Sequence, residues 1–122
     1  MRVIIFFTVV TLFVSCKKDK KDDVVCTTEA RAGLNVKVST VEGRTLYADS
    51  IKVIALDAAF SETLTLVDRN ELRFSGAVER AGNYMVTVSH PGMSMVTLKD
   101  IKVDKDECHV IPKQLDVIIG AK

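Results

Sequence analysis

From residue 32 to the end of the chain, apolar and polar side chains alternate with a period of two. The alternation is clearest in residues 34–38 and returns in residues 84–88 and 114–119, whereas residues 51–56 are apolar on both faces. A period of two is typical of strands that bury one face, and a short apolar run is typical of a central strand. We therefore predict about seven short strands in this part of the chain.

Local exceptions to this pattern predict where strands turn or bend. Residues 90–93 predict a type II turn, because Pro91 fixes the first corner and Gly92 accepts the positive φ of the second. The strand that ends near Val78 is predicted to bury Val78, and Gly76 interrupts the same face. A glycine within a strand marks a bulge or the close approach of another group.

Two further signals concern the last two strands. The apolar phase of residues 93–103 shifts midway. Because a one-residue slip turns every side chain to the other face, we predict a bulge near Lys99 and Asp100. Pro112 lies within the last predicted strand, residues 110–119. Since proline cannot donate a ladder hydrogen bond, this strand is predicted to lie at a sheet edge or to carry a bulge.

The arrangement of the strands predicts an all-β fold. Turn signals separate the strands, residues 60–66 form one predicted strand, and no segment has the period of an amphipathic helix. This pattern predicts an antiparallel β-sandwich. Cys26 precedes the first strand and Cys108 begins the last. A bond between them would clamp the two ends of the domain if the terminal strands lie close together.

The first 23 residues have a different pattern. Arg2 is followed by an apolar run, residues 3–14, then by Ser15 and Cys16, and then by the charged residues 17–23. A positive start, an apolar core and small residues at the cut are typical of a secretory leader. The apolar run is shorter than the roughly 20 residues that a transmembrane helix requires.

Residues 12–16, Leu-Phe-Val-Ser-Cys, resemble the lipobox of bacterial lipoproteins. The resemblance implies that residues 1–15 are a lipoprotein signal peptide and that Cys16 is lipidated as the first residue of the mature chain. Residues 16–25 are then a charged tether, and residues 26–122 form the folded domain. An ordinary signal peptide that is cut elsewhere, with Cys16 incidental, is the alternative.

The charge balance limits the classes of partner. The formal net charge is +1, and it falls to zero when residues 1–15 are removed, since Arg2 is their only charged residue. A neutral domain argues against nucleic acid, which is bound through clustered basic side chains. Lysines of the tether could touch anionic lipid head groups, but interleaved aspartates favour a solvated spacer.

Once Cys16 is assigned to lipid, Cys26 and Cys108 remain as a pair. In an oxidising compartment a disulfide between them is the simplest interpretation. Metal ligation together with His109 and a reactive thiol are the alternatives. The adjacent Cys108 and His109 lack the paired spacing of a zinc site.

The strand that starts at Gly82 carries a resemblance to a known family. Its Gly-x-Tyr-x-Val-x-Val pattern in residues 82–88 and the turn at Gly92 resemble the carboxypeptidase regulatory-like domain of Bacteroidetes-type lipoproteins. Met93 departs from that pattern, which usually has an aromatic residue there. The resemblance covers residues 26–122 and implies a transthyretin-like or Ig-like β-sandwich in a lipoprotein of the bacterial outer membrane. The Lys/Asp-rich stretch after Cys16 resembles a signal for display on the outer face of that membrane.

No residue pattern in the chain points to catalysis, so we expect no enzymatic activity and no cofactor. The two histidines, His90 in a turn expected to be exposed and His109 at a strand end, are far apart in sequence. No serine lies in the Gly-x-Ser-x-Gly turn that presents a nucleophile. The acidic residues Asp104, Asp106 and Glu107 could hold calcium, but a solvated turn is the preferred interpretation.

Two functions from different classes fit these features. The first is a membrane-anchored, extracytoplasmic lipoprotein that acts as a non-catalytic binding or structural module at the cell envelope. Its partner would be a protein or a glycan, contacted through loops or a strand edge. The second is an inhibitor of host or competitor hydrolases, in which a rigid protruding loop enters an active site.

Overall fold

The computed structural model of the chain describes residues 25–41 and 45–121. The expected signal peptide, the lipidation site Cys16 and the tether as far as residue 24 lie outside these residues. Within the described ranges, no helix has the length and apolar character needed to cross a membrane.

The described part of the chain is all-β, with eight strands rather than about seven. A single turn of 3₁₀ helix, Ala48–Ser50, precedes the second strand. The strands are β1 Ala32–Thr40, β2 Lys52–Asp57, β3 Phe60–Thr63, β4 Thr65–Asp68, β5 Arg73–Val78, β6 Gly82–Ser89, β7 Val96–Val103 and β8 Lys113–Ile119.

The strands form two four-stranded sheets, in the orders β4-β5-β1-β8 and β3-β2-β6-β7. All neighbouring strands are antiparallel except β1 and β8, which are parallel. The expectation of purely antiparallel pairing was therefore wrong for the last strand. Strand β8 follows a loop at the end of the molecule where β1 begins, so both strands start at that end and run in the same direction.

The extra strand arises where one predicted strand changes sheets. Residues 60–66 were predicted to form one strand, but β3 lies in one sheet and β4 in the other. Leu64 lies between them, is buried and donates its backbone N–H to the carbonyl of Val53 at 2.8 Å. Both short strands supply apolar side chains to the same core, so the period of two continues through the change of sheet. The predicted close approach at Gly76 is confirmed, because a Cβ there would lie 2.8 Å from the Leu64 Cγ.

The buried side chains of both sheets form one cluster between the sheets. The predicted inward faces of residues 34–38 and 84–88 are confirmed. Val78, however, is 53% exposed, and the neighbouring Ala77 is buried in its place with a left-handed φ of 54°. This backbone conformation breaks the alternation at the end of β5. The cluster comprises Leu34, Val36, Val38, Ile51, Val53, Ala55, Leu64, Phe74, Ala77, Tyr84, Val86, Val88, Met93, Val103, Val110, Val117 and Ile119.

The predicted bulge in β7 is confirmed. Tyr84 pairs with Ile101 and Val86 pairs with Leu98, so one residue of β6 faces two residues of β7. Asp100 lies in this bulge and has a left-handed φ of 57°. The bulge restores the inward direction of the apolar side chains on either side of it.

The predicted turn at residues 90–93 is also confirmed. Met93 donates its N–H to the carbonyl of His90 at 3.0 Å, and Gly92 has a φ of 80°. Pro112 precedes β8 and does not lie within it. The predicted edge position of that strand is correct, since β8 is the outer strand of its sheet.

The strand register defines two ends of the molecule. Strands β1 and β8 begin at one end of the molecule, and β5 and β7 finish there. We call it the proximal end. It also holds residues 25–31, 79–81 and 104–112. At the opposite end Lys52 of β2 pairs with Ser89 of β6. Residues 45–51, 69–72 and 90–95 form the loops of this distal end.

Candidate functional site

A disulfide joins Cys26 to Cys108 at the proximal end, as the sequence predicted. The two Cα atoms lie 5.2 Å apart, and the cysteines are separated by 82 residues in sequence. The bond connects the segment before β1 to the loop before β8. Because these two strands are neighbours, the covalent link holds the segment before β1 against the loop before β8.

Beside the disulfide, the carboxylate of Glu79 makes three contacts with two separate segments of the chain. Its Oε2 accepts the N–H of Arg31 at 2.9 Å and its Oε1 accepts the N–H of Val110 at 3.1 Å. His109 contributes the third contact through Nδ1, 2.6 Å from Oε2. The hydrogen bond from His109 is the main reason that the pKa of Glu79 lies below its ordinary value, and the two backbone N–H groups lower it further against the opposing effect of desolvation.

His109 is buried, and its second ring nitrogen, Nε2, lies 3.0 Å from the hydroxyl of Thr27. Thr27, His109 and Glu79 thus form a hydrogen-bonded chain of hydroxyl, imidazole and carboxylate, the order found in nucleophilic hydrolases. The sequence did not reveal this arrangement, because its members are 82 and 30 residues apart. No local spacing motif could bring them together.

The surroundings of the hydrogen-bonded side chains of Thr27, His109 and Glu79 favour a structural role for them. An open depression of about 380 Å³ beside them is lined by Thr27, Arg31 and residues of the Asp106 loop. The backbone N–H groups of Cys108 and His109 border this depression, but both donate to Asp106 Oδ1, at 2.8 and 2.9 Å. Neither N–H is therefore free to stabilise an oxyanion, which acyl transfer requires.

Asp106 acts as a turn residue in this loop. The N–H groups of His109 and Cys108 hold the pKa of its carboxyl below the ordinary value. Within residues 25–41 and 45–121, no group of three or more potential ligands among His, Cys, Asp and Glu is placed to hold a metal ion. The sulfur of Cys108 is bonded to Cys26 in the disulfide, so it is not a free thiolate that could bind a metal. The geometry of these residues is that of a turn stabilised by its own aspartate.

The lowered pKa of Glu79 predicts how stability depends on pH. Its contacts contribute stability above its ordinary pKa of 4.5, and that contribution is lost as the pH falls through the lower pKa of the folded state. We expect Glu79→Gln to destabilise the protein at neutral pH, and we expect the difference from the wild type to shrink below pH 4.5. Urea unfolding across this pH range measures the difference.

Glu71→Gln is the matched control for this prediction. Glu71 pairs with Arg73 at 2.6 Å, but both side chains are largely exposed, so its loss should have little effect at any pH. A difference between wild type and Glu79→Gln that stays constant from neutral to acidic pH would contradict the assignment.

The distal end contains the second histidine, and its environment differs from the expectation. His90 was expected in an exposed turn, but its side chain is only 9% exposed. The residue lies beneath Tyr47, whose ring is stacked on the imidazole with a centroid distance of 6.2 Å and an interplanar angle of 21°. Tyr47 also donates its backbone N–H to His90 Nε2 at 3.2 Å. Residues 45–51, which we call the Tyr47 loop, are thereby bonded to the turn after β6.

Further bonds hold this loop in place. Ser50 donates its N–H to the carbonyl of Tyr47 at 2.8 Å. Asp49 forms an exposed ion pair of 3.1 Å with Arg69 of the neighbouring loop. The side chain of Tyr47 itself is 64% exposed. The loop therefore presents an aromatic ring to solvent from a fixed backbone.

An open depression of about 390 Å³ lies next to this ring. Met95 is 63% exposed at its border, whereas Met93 is buried and pairs with Ala121 near the end of the chain. Among the residues that the structure describes, Lys52 and His90 are the ionisable side chains of the lining. The lining consists of Ser50, Lys52, Ser89, His90, Pro91, Gly92, Met93 and Met95.

No protein-family model matches the chain, and no curated protein matches it.

Proposed function

We propose that this protein is a lipoprotein of the bacterial cell envelope, anchored in the outer membrane through a lipidated Cys16 after removal of residues 1–15. Its domain, residues 26–122, is a transthyretin-like or Ig-like sandwich that acts as a non-catalytic binding module. The supporting features are the leader pattern, the Gly-x-Tyr-x-Val-x-Val strand, the two packed sheets and the disulfide. A disulfide is compatible with an extracytoplasmic location.

The observation that carries the binding role is the separation of the tether from the distal end. The tether enters beside Cys26, at the proximal end, and β1 has nine residues. At about 3.3 Å per residue, the strand carries the chain about 30 Å away from that point. The distal end then faces away from the membrane, where it offers Tyr47, Pro91 and Met95 to a partner.

The chemistry of the distal surface fits a protein or glycan partner. Tyrosine supplies a large contact area with little conformational entropy to lose, and it is frequent among residues that dominate binding energy. The exposed Tyr47 and Met95 provide apolar area, and Ser50, Ser89 and Lys52 provide hydrogen-bond donors beside it. We place the binding surface on these residues.

Inhibition of hydrolases is the second candidate, and one observation favours it. An inhibitor requires a rigid protruding loop, and the Tyr47 loop is fixed by His90 and by the Asp49 ion pair. A panel of proteases and glycosidases assayed with micromolar protein distinguishes the two functions. Inhibition that disappears in Tyr47→Ala would support the second candidate, and full enzyme activity throughout the panel would eliminate it.

The anchor is tested by Cys16→Ser. We expect the variant to leave the membrane fraction while its domain stays folded, because the lipid is the only proposed membrane contact. Fractionation followed by immunoblotting measures the distribution. Retention of the folded variant in the membrane would argue against lipid anchoring.

The binding surface is tested by capture from envelope extracts on immobilised Cys16→Ser protein. We expect Tyr47→Ala to reduce binding of the retained partner at least about tenfold, as for a central interface tyrosine. Ile111→Ala is the matched control, because Ile111 is an exposed apolar residue of the proximal end. Equal loss in both variants, or no loss in Tyr47→Ala, would refute the assignment of the distal surface.

A further inference from the structure

The two ring nitrogens of His90 have partners that allow only one protonation state. The backbone N–H of Tyr47 points at Nε2 from 3.2 Å, and an N–H group can only donate. The carbonyl of Pro91 lies 2.9 Å from Nδ1, and a carbonyl can only accept. Nε2 must therefore be unprotonated and Nδ1 must carry the hydrogen, which makes His90 a neutral imidazole in this fold.

A proton added to His90 would go to Nε2 and remove this acceptor. The N–H of Tyr47 and the new N–H of His90 would then face each other as two donors, leaving the Tyr47 N–H without its partner. Imidazole is the side chain that ordinarily gains a proton between about pH 5 and 8. A proton on Nε2 would therefore act directly on the bond that holds the Tyr47 loop.

The charged groups described around His90 would not stabilise a positive charge on its imidazole. Strand β2 contributes Lys52, whose charge has the same sign, and no carboxylate of residues 25–41 and 45–121 lines the depression. Within residues 45–51, Asp49 is paired with Arg69, and the other titratable group is the Tyr47 phenol. Residues 93–98, which follow the turn, carry no ionisable side chain.

The hydrogen-bond partners of His109 differ from those of His90. Its Nδ1 faces the Glu79 carboxylate at 2.6 Å, and its Nε2 faces the Thr27 hydroxyl at 3.0 Å. A hydroxyl can donate or accept, so neither contact of His109 requires Nε2 to lack a hydrogen. The partners thus fix Nε2 as an acceptor in His90 but not in His109.

We propose that His90 is an acid-operated latch on the Tyr47 loop, closed when the imidazole is neutral and opened by its protonation. On the proposed function, on which this part of the inference rests, the latch makes partner binding at the distal end sensitive to pH. Tyr47 is held in its binding position at neutral pH and released in mild acid. The protein then dissociates from its partner without losing its fold or its attachment point.

Nuclear magnetic resonance of the Cys16→Ser protein tests the latch without any partner. Nitrogen shifts of the imidazole should report hydrogen on Nδ1 and none on Nε2 at about pH 7.5. Hydrogen-exchange protection of the Tyr47 amide, corrected for the intrinsic effect of pH, should fall at least about tenfold by about pH 5.5. The Val110 amide, bound to Glu79 at the proximal end, should keep its protection.

His90→Gln is the matched variant, because the glutamine carbonyl can accept the Tyr47 N–H but does not titrate. Its Tyr47 amide should stay protected at both pH values. An Nε2–H tautomer at neutral pH, or undiminished Tyr47 protection after His90 has titrated in the wild type, would overturn the latch. Both observations come from the wild type and therefore do not depend on the variant folding.

The capture experiment separates the latch from the proposed function. Partner retained at about pH 7.5 should be released at about pH 5.5 from the wild type and kept by His90→Gln. Release from both proteins would overturn the role of the latch in binding. Absence of any Tyr47-dependent capture at neutral pH would overturn the proposed function, while the exchange data would still decide whether the latch exists.

Discussion

Replacing both Cys26 and Cys108 with serine is expected to lower the free energy of unfolding by about 2–5 kcal/mol. The bond closes a loop of 82 residues, so its removal gives the unfolded chain much additional conformational freedom. Small domains have total stabilities of about 5–15 kcal/mol. The disulfide therefore supplies a large part of what keeps this domain folded.

Urea unfolding of the double variant, compared with the oxidised and the reduced wild type, measures this effect. The reduced wild type should resemble the double variant, because both lack only the covalent link. We also expect faster amide exchange in residues 25–31, since this segment is then held by the two hydrogen bonds between Arg31 and Glu79 and by the Thr27 contact to His109. Unchanged unfolding midpoints would show that the noncovalent contacts suffice.

Tyr84→Ala is the second change with a large expected effect, a loss of about 3–5 kcal/mol. Tyr84 is 1% exposed and is among the largest fully buried side chains. Its ring meets Phe60 edge to face at a centroid distance of 6.2 Å. Truncation removes these contacts and leaves a cavity that the two rigid sheets cannot close.

Tyr84→Phe separates the ring from the hydroxyl. The hydroxyl donates to the carbonyl of Arg80 at 2.8 Å and accepts from the Arg80 guanidinium at 3.0 Å. Removing it should cost about 1–3 kcal/mol, because the Arg80 carbonyl loses its partner. Thermal unfolding of the two variants gives both values. Equal losses in both would mean that the hydroxyl, and not the packing of the ring, accounts for the contribution of Tyr84.

Much of the secondary structure could be predicted because the signals are local. The inward faces of β1 and β6 follow from a period of two, and the bulge near Asp100 follows from a shift of phase within one strand. The turn after His90 follows from Pro91 and Gly92, which restrict their own backbone angles. The disulfide was predicted for a different reason, because assigning Cys16 to lipid leaves only two cysteines.

Other features could not be predicted because they depend on contacts between distant segments. The exposure of Val78 results from the left-handed backbone of Ala77, whose N–H is bound by Glu62 at 2.8 Å. The burial of His90 depends on Tyr47, which is 43 residues away. The chain of Thr27, His109 and Glu79 likewise combines three segments that no spacing rule connects.

The sequence alone determined that this protein forms short strands, which faces of most strands are apolar, and which two cysteines pair. These properties depend on neighbouring residues and their backbone preferences. Only the tertiary structure decided that β1 and β8 are parallel, that residues 60–66 divide between two sheets, and which groups bond to the ring nitrogens of the two histidines. Strand neighbours and proton acceptors are set by groups far apart in the chain, which meet only when the two sheets pack together.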